Sequence, residues 1–273
     1  MGAKNRGFQT GLKNILIKAG ILMGRLAKPE DIQRTLERIY PIESGHKLVR
    51  IGESGDGGYI VPDDFKGVKY CFSPGVADNA KFEETIWRQY KISSFLADYS
   101  VDAPPESDVE FDFEKKFLGN RSDDIYLRLE EWVNNKLPKN PKADLILQMD
   151  IEGSEYPVLL DAPADILRRF RIMVIEFHGL QAMLDRNALP FFDQLFAKLT
   201  RDFYVVHNHP NNVRQPLRYK GIEIPQLVEM TFLRKDRVLD KNPEFRRDFP
   251  HPLDTPCVPS FPEVTLPKSW MAP

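Results

Sequence analysis

Short apolar runs, separated by stretches of helical or turn-forming pattern, organise this chain. Leu48-Val49-Arg50-Ile51 and Tyr59-Ile60-Val61 are rich in strand-forming residues, and the segment GESGDGG joins them. Asp-Gly between two such runs predicts a β-hairpin. Val68–Phe72 predicts a short strand that ends in the turn Ser73-Pro74-Gly75. A helix capped near Asn79 runs to about Tyr90, and Ser94–Ala97 is a second strand ending at Asp98. After a polar, proline-bearing loop, Asp123 or Asp124 caps a helix over Ile125–Asn134. Leu145-Ile146-Leu147 reads as a buried parallel strand. Helices near Tyr156–Leu160 and Ala164–Phe170, a strand over Arg171–Phe177 and a helix over Leu189–Leu199 follow. Phe203–Val206 and Val228–Arg234 are the last strands. The β-α-β-α alternation implies an α/β fold built on a doubly wound, mainly parallel sheet.

The two ends break this rhythm. Phe8, Leu12, Ile15, Leu16, Ala19, Leu22 and Met23 recur at helical spacing. Residues 1–29 hold six basic residues and no acidic one. Such a helix either packs on the domain with its lysines solvated or lies on an anionic membrane or partner surface. Pro29 opens a second helix that runs to about Tyr40. Seven prolines in residues 249–273 predict an extended C-terminal arm lying on its own domain. Three regions follow: an N-terminal helical segment, 1–45; an α/β domain, 46–240; and a proline-rich arm, 241–273.

Composition narrows the class. The 273 residues carry a net charge of -2 and 42% apolar residues, as an ordinary soluble globule does. No apolar run reaches the roughly 18 residues that a membrane span needs. Cys71 and Cys257 make neither a disulfide framework nor a metal cluster. With no secretory signal pattern, a cytoplasmic location is expected. No whole-chain polyanion-binding character shows, which argues against a nucleic-acid partner.

The candidate chemistry gathers at the ends of the predicted strands, the edge where open α/β sheets bind ligands. ADLILQMDIEGSEYP carries three carboxylates, Asp150, Glu152 and Glu155, in six residues, a costly crowding unless a cation, a proton or water offsets it. Gly75 lets the turn after the first sheet strand approach a ligand closely. Asp98 follows 23 residues later, the spacing at which a second-strand acid accepts hydrogen bonds from ribose hydroxyls. The phosphate fingerprint G-x-G-x-x-G is missing there, so a nucleoside without phosphates suits the turn better than a dinucleotide. S-adenosylmethionine is such a ligand. Asp56 and Gly58 sit in the hairpin's glycine cluster, which forms a tight turn and could also close over the cofactor. In RIMVIEFHG, Glu176 and His178 share strand parity and emerge together at the carboxyl end. A buried, hydrogen-bonded His and a helix-capping Glu are the structural alternative. His207 and His209 form a His-x-His pair with no third ligand nearby in sequence.

RIGESGDGGYIV, CFSPGVADNAKFEE, SSFLADYS, LILQMDIEGSEYPVL and VIEFHG together resemble the FkbM-type S-adenosylmethionine-dependent methyltransferases over about residues 48–234. The resemblance implies a seven-stranded, Rossmann-like class I methyltransferase sheet with a final antiparallel strand. It implies O-methylation of sugar, glycan or polyketide-type hydroxyls, with the cofactor near Gly75 and Asp98. The adjoining Ser73, Asp78 and Tyr99, with Asp56 and Gly58, complete the candidate cofactor contacts. In the sheet order of such enzymes the strand ending at Glu176 neighbours the one ending at Asp150, about 4.8 Å away. Asp150, Glu176 and His178 are then expected to converge as a general-base site or as ligands of a divalent cation such as Mg²⁺. His207, about two strand spacings or roughly 10 Å off, would have to fold back to join them. Two other classes stay open: an NAD- or nucleotide-sugar-dependent Rossmann enzyme, and a binding protein that keeps the fold without catalysis.

Overall fold

A computed structural model describes residues 17–20, 24–137, 139 and 143–273. The basic amphipathic helix expected near the amino terminus lies outside the described residues. The chain runs α1 (Pro29–Glu37), β1 (Leu48–Ile51), β2 (Tyr59–Pro62), β3 (Tyr70–Pro74), α2 (Lys81–Tyr90), β4 (Ser93–Ala97) and β5 (Asp112–Glu114). It continues through β6 (Phe117–Gly119), β7 (Tyr126–Arg128), α3 (Leu129–Lys136), β8 (Leu145–Met149), α4 (Glu155–Asp161), α5 (Ala164–Leu167) and β9 (Phe170–Phe177). Then come α6 (Leu189–Asp202), β10 (Phe203–Pro210), β11 (Leu217–Tyr219), β12 (Ile222–Ile224) and β13 (Val228–Arg234).

Seven strands form one sheet in the order β10-β13-β9-β8-β3-β4-β5. Strands β9, β8, β3, β4 and β5 pair in parallel, while β13 pairs antiparallel with both β9 and β10. The sheet is therefore mixed: it is mainly parallel, as expected, but β13 runs against its neighbours, so it is not a uniformly parallel doubly wound sheet. The cause lies in the connections. A parallel neighbour requires a long crossover, usually a helix. The link from β10 to β13 instead holds only the small β11–β12 ribbon, so the chain turns back and enters the sheet reversed. One antiparallel strand is what the family resemblance implied.

Apolar residues cover both faces. Alternate residues of a strand point to opposite sides. Leu145, Leu147 and Met149 of β8 join one core with Trp132, Val158 and Phe196 from the helices. Ile146 joins the other, with Ile172 and Val174 of β9, Phe82 and Ile86 of α2, and Ile51, Tyr59 and Val61 of the hairpin. The β1–β2 hairpin forms as expected, but as a separate two-stranded sheet beside the second face. The helix expected over Ile125–Asn134 starts later. Tyr126–Arg128 pairs with β6 as a strand, and the Asp123 side chain accepts the Ile125 and Tyr126 amides ahead of it. Residues 241–273 hold no α-helix or strand and one 3-10 turn at Lys268–Trp270.

The hairpin-facing side of the sheet changes character along the strands. On β8 it reads Ile146, Gln148 and then Asp150 just beyond the strand; on β9 it reads Ile172, Val174, Glu176. Glu229 of β13 is the register partner of Glu176, and His209 of β10 is the partner of Glu229. The carboxyl ends of the parallel strands thus deliver a buried row of ionisable groups.

Candidate functional site

A cavity of about 580 Å³ opens at this edge. Its volume falls in the range of ordinary small-molecule sites. Gly75 and Asp78 from the β3–α2 turn, Asp98 after β4 and Asp150 after β8 line it, with Asp56 from the hairpin. Phe117 and Tyr126 close the far side.

The turn at Gly75 has φ +86° and lies hard against the exit of β8. A Cβ built on Gly75 would sit 1.6 Å from the Asp150 carbonyl oxygen. Asp98 braces the same turn: its carboxylate accepts the Ala77 amide at 2.9 Å and the Ser100 amide and hydroxyl at 2.7 Å. The structure therefore brings Gly75, Asp78, Asp98 and Asp56 to one cavity. Ser73 lies beneath it, fully buried, with its hydroxyl between Glu83 and Gln148. Tyr99 stands outside the wall, its ring 5.4 Å from that of Phe117. Gly58 packs inside the hairpin, where a Cβ would meet the Glu53 carbonyl at 1.9 Å.

Asp150, Glu176 and His178 converge as expected: one ligand-type atom from each lies within 4.8 Å of the others. Burial pushes the Asp150 carboxyl up to about 7, against the opposing pull of His178. Burial, with the charges of Asp150 and Glu229, raises Glu176 well above the carboxylate range, and Asn211 Nδ2 donates to it at 2.9 Å. Asp150 Oδ1 is buried and has no hydrogen-bond partner among the described residues. It is the group of the three that lines the cavity.

Glu155 orients His178. It opens α4, is fully buried, and accepts the Ile151 amide at 3.3 Å and the Gly153 amide at 3.1 Å. The same oxygen faces His178 Nδ1 at 3.1 Å. The other ring nitrogen then points to Glu152, 3.4 Å away, and Asp150, 3.7 Å away. Burial pulls the imidazole down, but the hydrogen bond and charge of Glu155 overcome it and raise His178 above its ordinary value. Glu152 and Gly153 both take positive φ, 55° and 100°, in the tight turn between β8 and α4.

Sequence reasoning passed over the layer behind Asp150. Tyr59, the tyrosine of DGGY, is fully buried, and Gln148 Nε2 donates to its hydroxyl at 3.2 Å. Burial first, then the charges of Asp150 and Glu176, hold Tyr59 protonated. Gln148 Oε1 faces Ser73, which faces Glu83. Ser73 has one hydroxyl proton and two acceptor neighbours, so the chain closes when Glu83 is protonated and donates to Ser73. Burial does push Glu83 up to about 7. Between the ordinary value of 4.5 and about 7, the fold holds a proton that the unfolded chain has released. Stability contributed here falls as pH rises through that window, and the cost is complete above it. Glu83→Gln is expected to remove this share of the slope and to stabilise the chain at about pH 8 by about 1–3 kcal/mol. Denaturant midpoints on either side of the window check it.

His207 does not join Asp150. It is buried on β10, its Nε2 is 2.8 Å from Asp254, and its ring stacks on Phe249 at 5.7 Å. His209 lies between Glu229 and Glu263.

Residues 80–205 match the family model for the methyltransferase FkbM domain. The resemblance drawn from the motifs holds over this stretch. The FkbM match takes in Asp98, Asp150, Glu155, Glu176 and His178; Gly75 and the hairpin precede it, and His207 and His209 follow it. No curated protein matches the chain in sequence. Among solved structures, a precorrin-6y C5,15-methyltransferase from Geobacter metallireducens GS-15 is similar at a TM-score of 0.29 and 11% identity, covering 78% of this chain and 95% of that chain. Among the described residues no helix is long and apolar enough to cross a membrane.

Proposed function

We propose that the protein transfers the methyl group of S-adenosylmethionine to a hydroxyl of a sugar, glycan or glycolipid. The observation that carries this reading is the cavity shared by the Gly75 turn, Asp98 and Asp150, a carboxyl with one buried oxygen unpartnered among the described residues. The bound cofactor would supply an electrophilic methyl on a sulfonium, which needs no phosphate cradle. The first turn of α2, where a pyrophosphate would sit, carries Glu83 and Glu84. Acidic side chains there disfavour the NAD or nucleotide-sugar alternative.

A sugar hydroxyl is a weak nucleophile until its proton is accepted. Asp150 reaches the cavity and, with a pKa near neutrality, is suited to take that proton. His178, behind it and held by Glu155, is a positioning residue that stabilises the charged Asp150. Alignment of the two reactants in the cavity supplies much of the remaining rate. Asp150, Glu176 and His178 are also the residues that would hold a divalent cation, which would offset the crowded carboxylates and lower the pKa of a bound hydroxyl.

Calorimetry with S-adenosylmethionine, S-adenosylhomocysteine and NAD tests the cofactor; heat from the first two alone supports the reading, and heat from NAD alone overturns it. Labelled methyl transfer to a pool of glycans and glycolipids, with and without chelator, tests the acceptor class and the cation. Cofactor binding without transfer to any hydroxyl acceptor would favour a non-catalytic binding protein.

A further inference from the structure

A second set of metal-ligating side chains stands on the same face of the sheet, outside the cavity. His209 and Glu229 are cross-strand partners on β10 and β13. Residues so paired project side by side. Cys257 reaches them from the C-terminal segment. All three are buried, and one donor atom from each lies within 4.8 Å of the others. His209 Nδ1 is 3.0 Å from one Glu229 oxygen, and Cys257 Sγ is 3.3 Å from the other.

We propose that His209, Glu229 and Cys257 bind a divalent transition-metal ion of the zinc type, tying the C-terminal segment to the sheet. The donor set is one nitrogen, one oxygen and one sulfur. Hard cations such as Mg²⁺ take oxygen ligands, whereas imidazole and thiolate suit zinc and its neighbours. The arrangement around the histidine fits a ligand. Its second nitrogen, Nε2, faces the Glu263 carboxylate at 3.3 Å. Metal-bound histidines are commonly oriented by a carboxylate on the far ring nitrogen. On binding, Cys257 loses its thiol proton and His209 its Nδ1 proton to solvent, His209 keeps the Nε2 proton that faces Glu263, and Glu229 exchanges its hydrogen bonds for the ion. Three protein ligands leave one tetrahedral position for water.

Charge supports the same site. Glu229 stands directly beside Glu176 across β13 and β9, two buried carboxylates on one face. A cation held on the far side of Glu229 offsets that pairing. The ion would also reach the main site indirectly. Thr255, two residues before Cys257, accepts the Gly55 amide at 3.1 Å, next to the Asp56 that lines the cavity.

The test uses the full chain, stripped with chelator and titrated with Co²⁺. One thiolate-bound ion is expected, with thiolate-to-cobalt charge-transfer absorption in the near ultraviolet that Zn²⁺ bleaches; an ion at Asp150, Glu176 and His178 would lack that absorption. Cys257→Ser is expected to abolish that absorption and Cys71→Ser to retain it. Glu263→Gln should weaken binding about 10- to 100-fold. No uptake, an ion bound with nitrogen and oxygen neighbours only, or absorption that survives Cys257→Ser would each overturn the proposal. Where Cys257→Ser does not fold, X-ray absorption of the zinc-loaded native chain decides between the same outcomes: a sulfur neighbour supports the site, and its absence overturns it.

Discussion

Asp150→Asn is expected to lower methyl transfer by about 10²–10⁴-fold, the usual contribution of a positioned base, while cofactor affinity changes by less than about threefold. The amide keeps the shape of the side chain and removes its basicity. It also removes the charge that would hold a divalent cation, so the loss is expected whether the hydroxyl is primed by the carboxylate or by an ion. The cofactor contacts argued for the Gly75 turn and Asp98 do not involve the Asp150 side chain, which is why binding should survive. The variant should fold. Burial already favours the uncharged form of Asp150, which the amide resembles in shape and charge. Single-turnover transfer, read beside the calorimetric affinity for S-adenosylhomocysteine, separates the two effects. Transfer at the native rate would remove Asp150 from the mechanism.

The residues that carry this site were legible because each follows a local rule. The apolar run into Asp150 marks a buried strand and its carboxyl end, and the parity of Glu176 with Ile172 and Val174 places it on the hairpin side. The spacing from Gly75 to Asp98 brought the turn and the acid to one cavity. What the sequence left open depends on contacts between distant segments. Glu155 looks like a helix-start acid, and only the return of the chain at His178 reveals what it orients. Asn211 reaches Glu176 from 35 residues away. Asp254, Cys257 and Glu263 lie in a segment whose prolines predict no regular element, so nothing in their own pattern points to His207, Glu229 and His209. For the same reason His207 and His209 looked short of ligands: their partners come from the next sheet strand and the C-terminal segment. The reversal of β13 was expected from the resemblance and not from its own residues, because strand direction is decided by the connection.

Gly75→Ala is expected to cost more than about 4 kcal/mol, enough to prevent folding or to force the cofactor turn away from β8. Two effects add. Positive φ is disfavoured for any residue with a Cβ, at about 1–2 kcal/mol. The larger effect is steric. The new carbon would lie 1.6 Å from the Asp150 carbonyl oxygen and 2.7 Å from its carbon, both main-chain atoms that no rotamer change can move. Gly75 also donates its amide to the Ala97 carbonyl at 2.9 Å, so the turn is pinned on its other side and cannot retreat without losing the strand end that presents Asp98. Gly153→Ala is the matched control. It has φ +100° but no atom within 4 Å of the added carbon, so only the conformational cost of about 1–2 kcal/mol is expected. Denaturant midpoints of the two variants, with cofactor affinity wherever the protein folds, distinguish a glycine required for its φ from one required by proximity. Equal losses at both positions would show that the close approach of the β3 turn to Asp150 does not bind the cofactor side of the cavity to the reacting side.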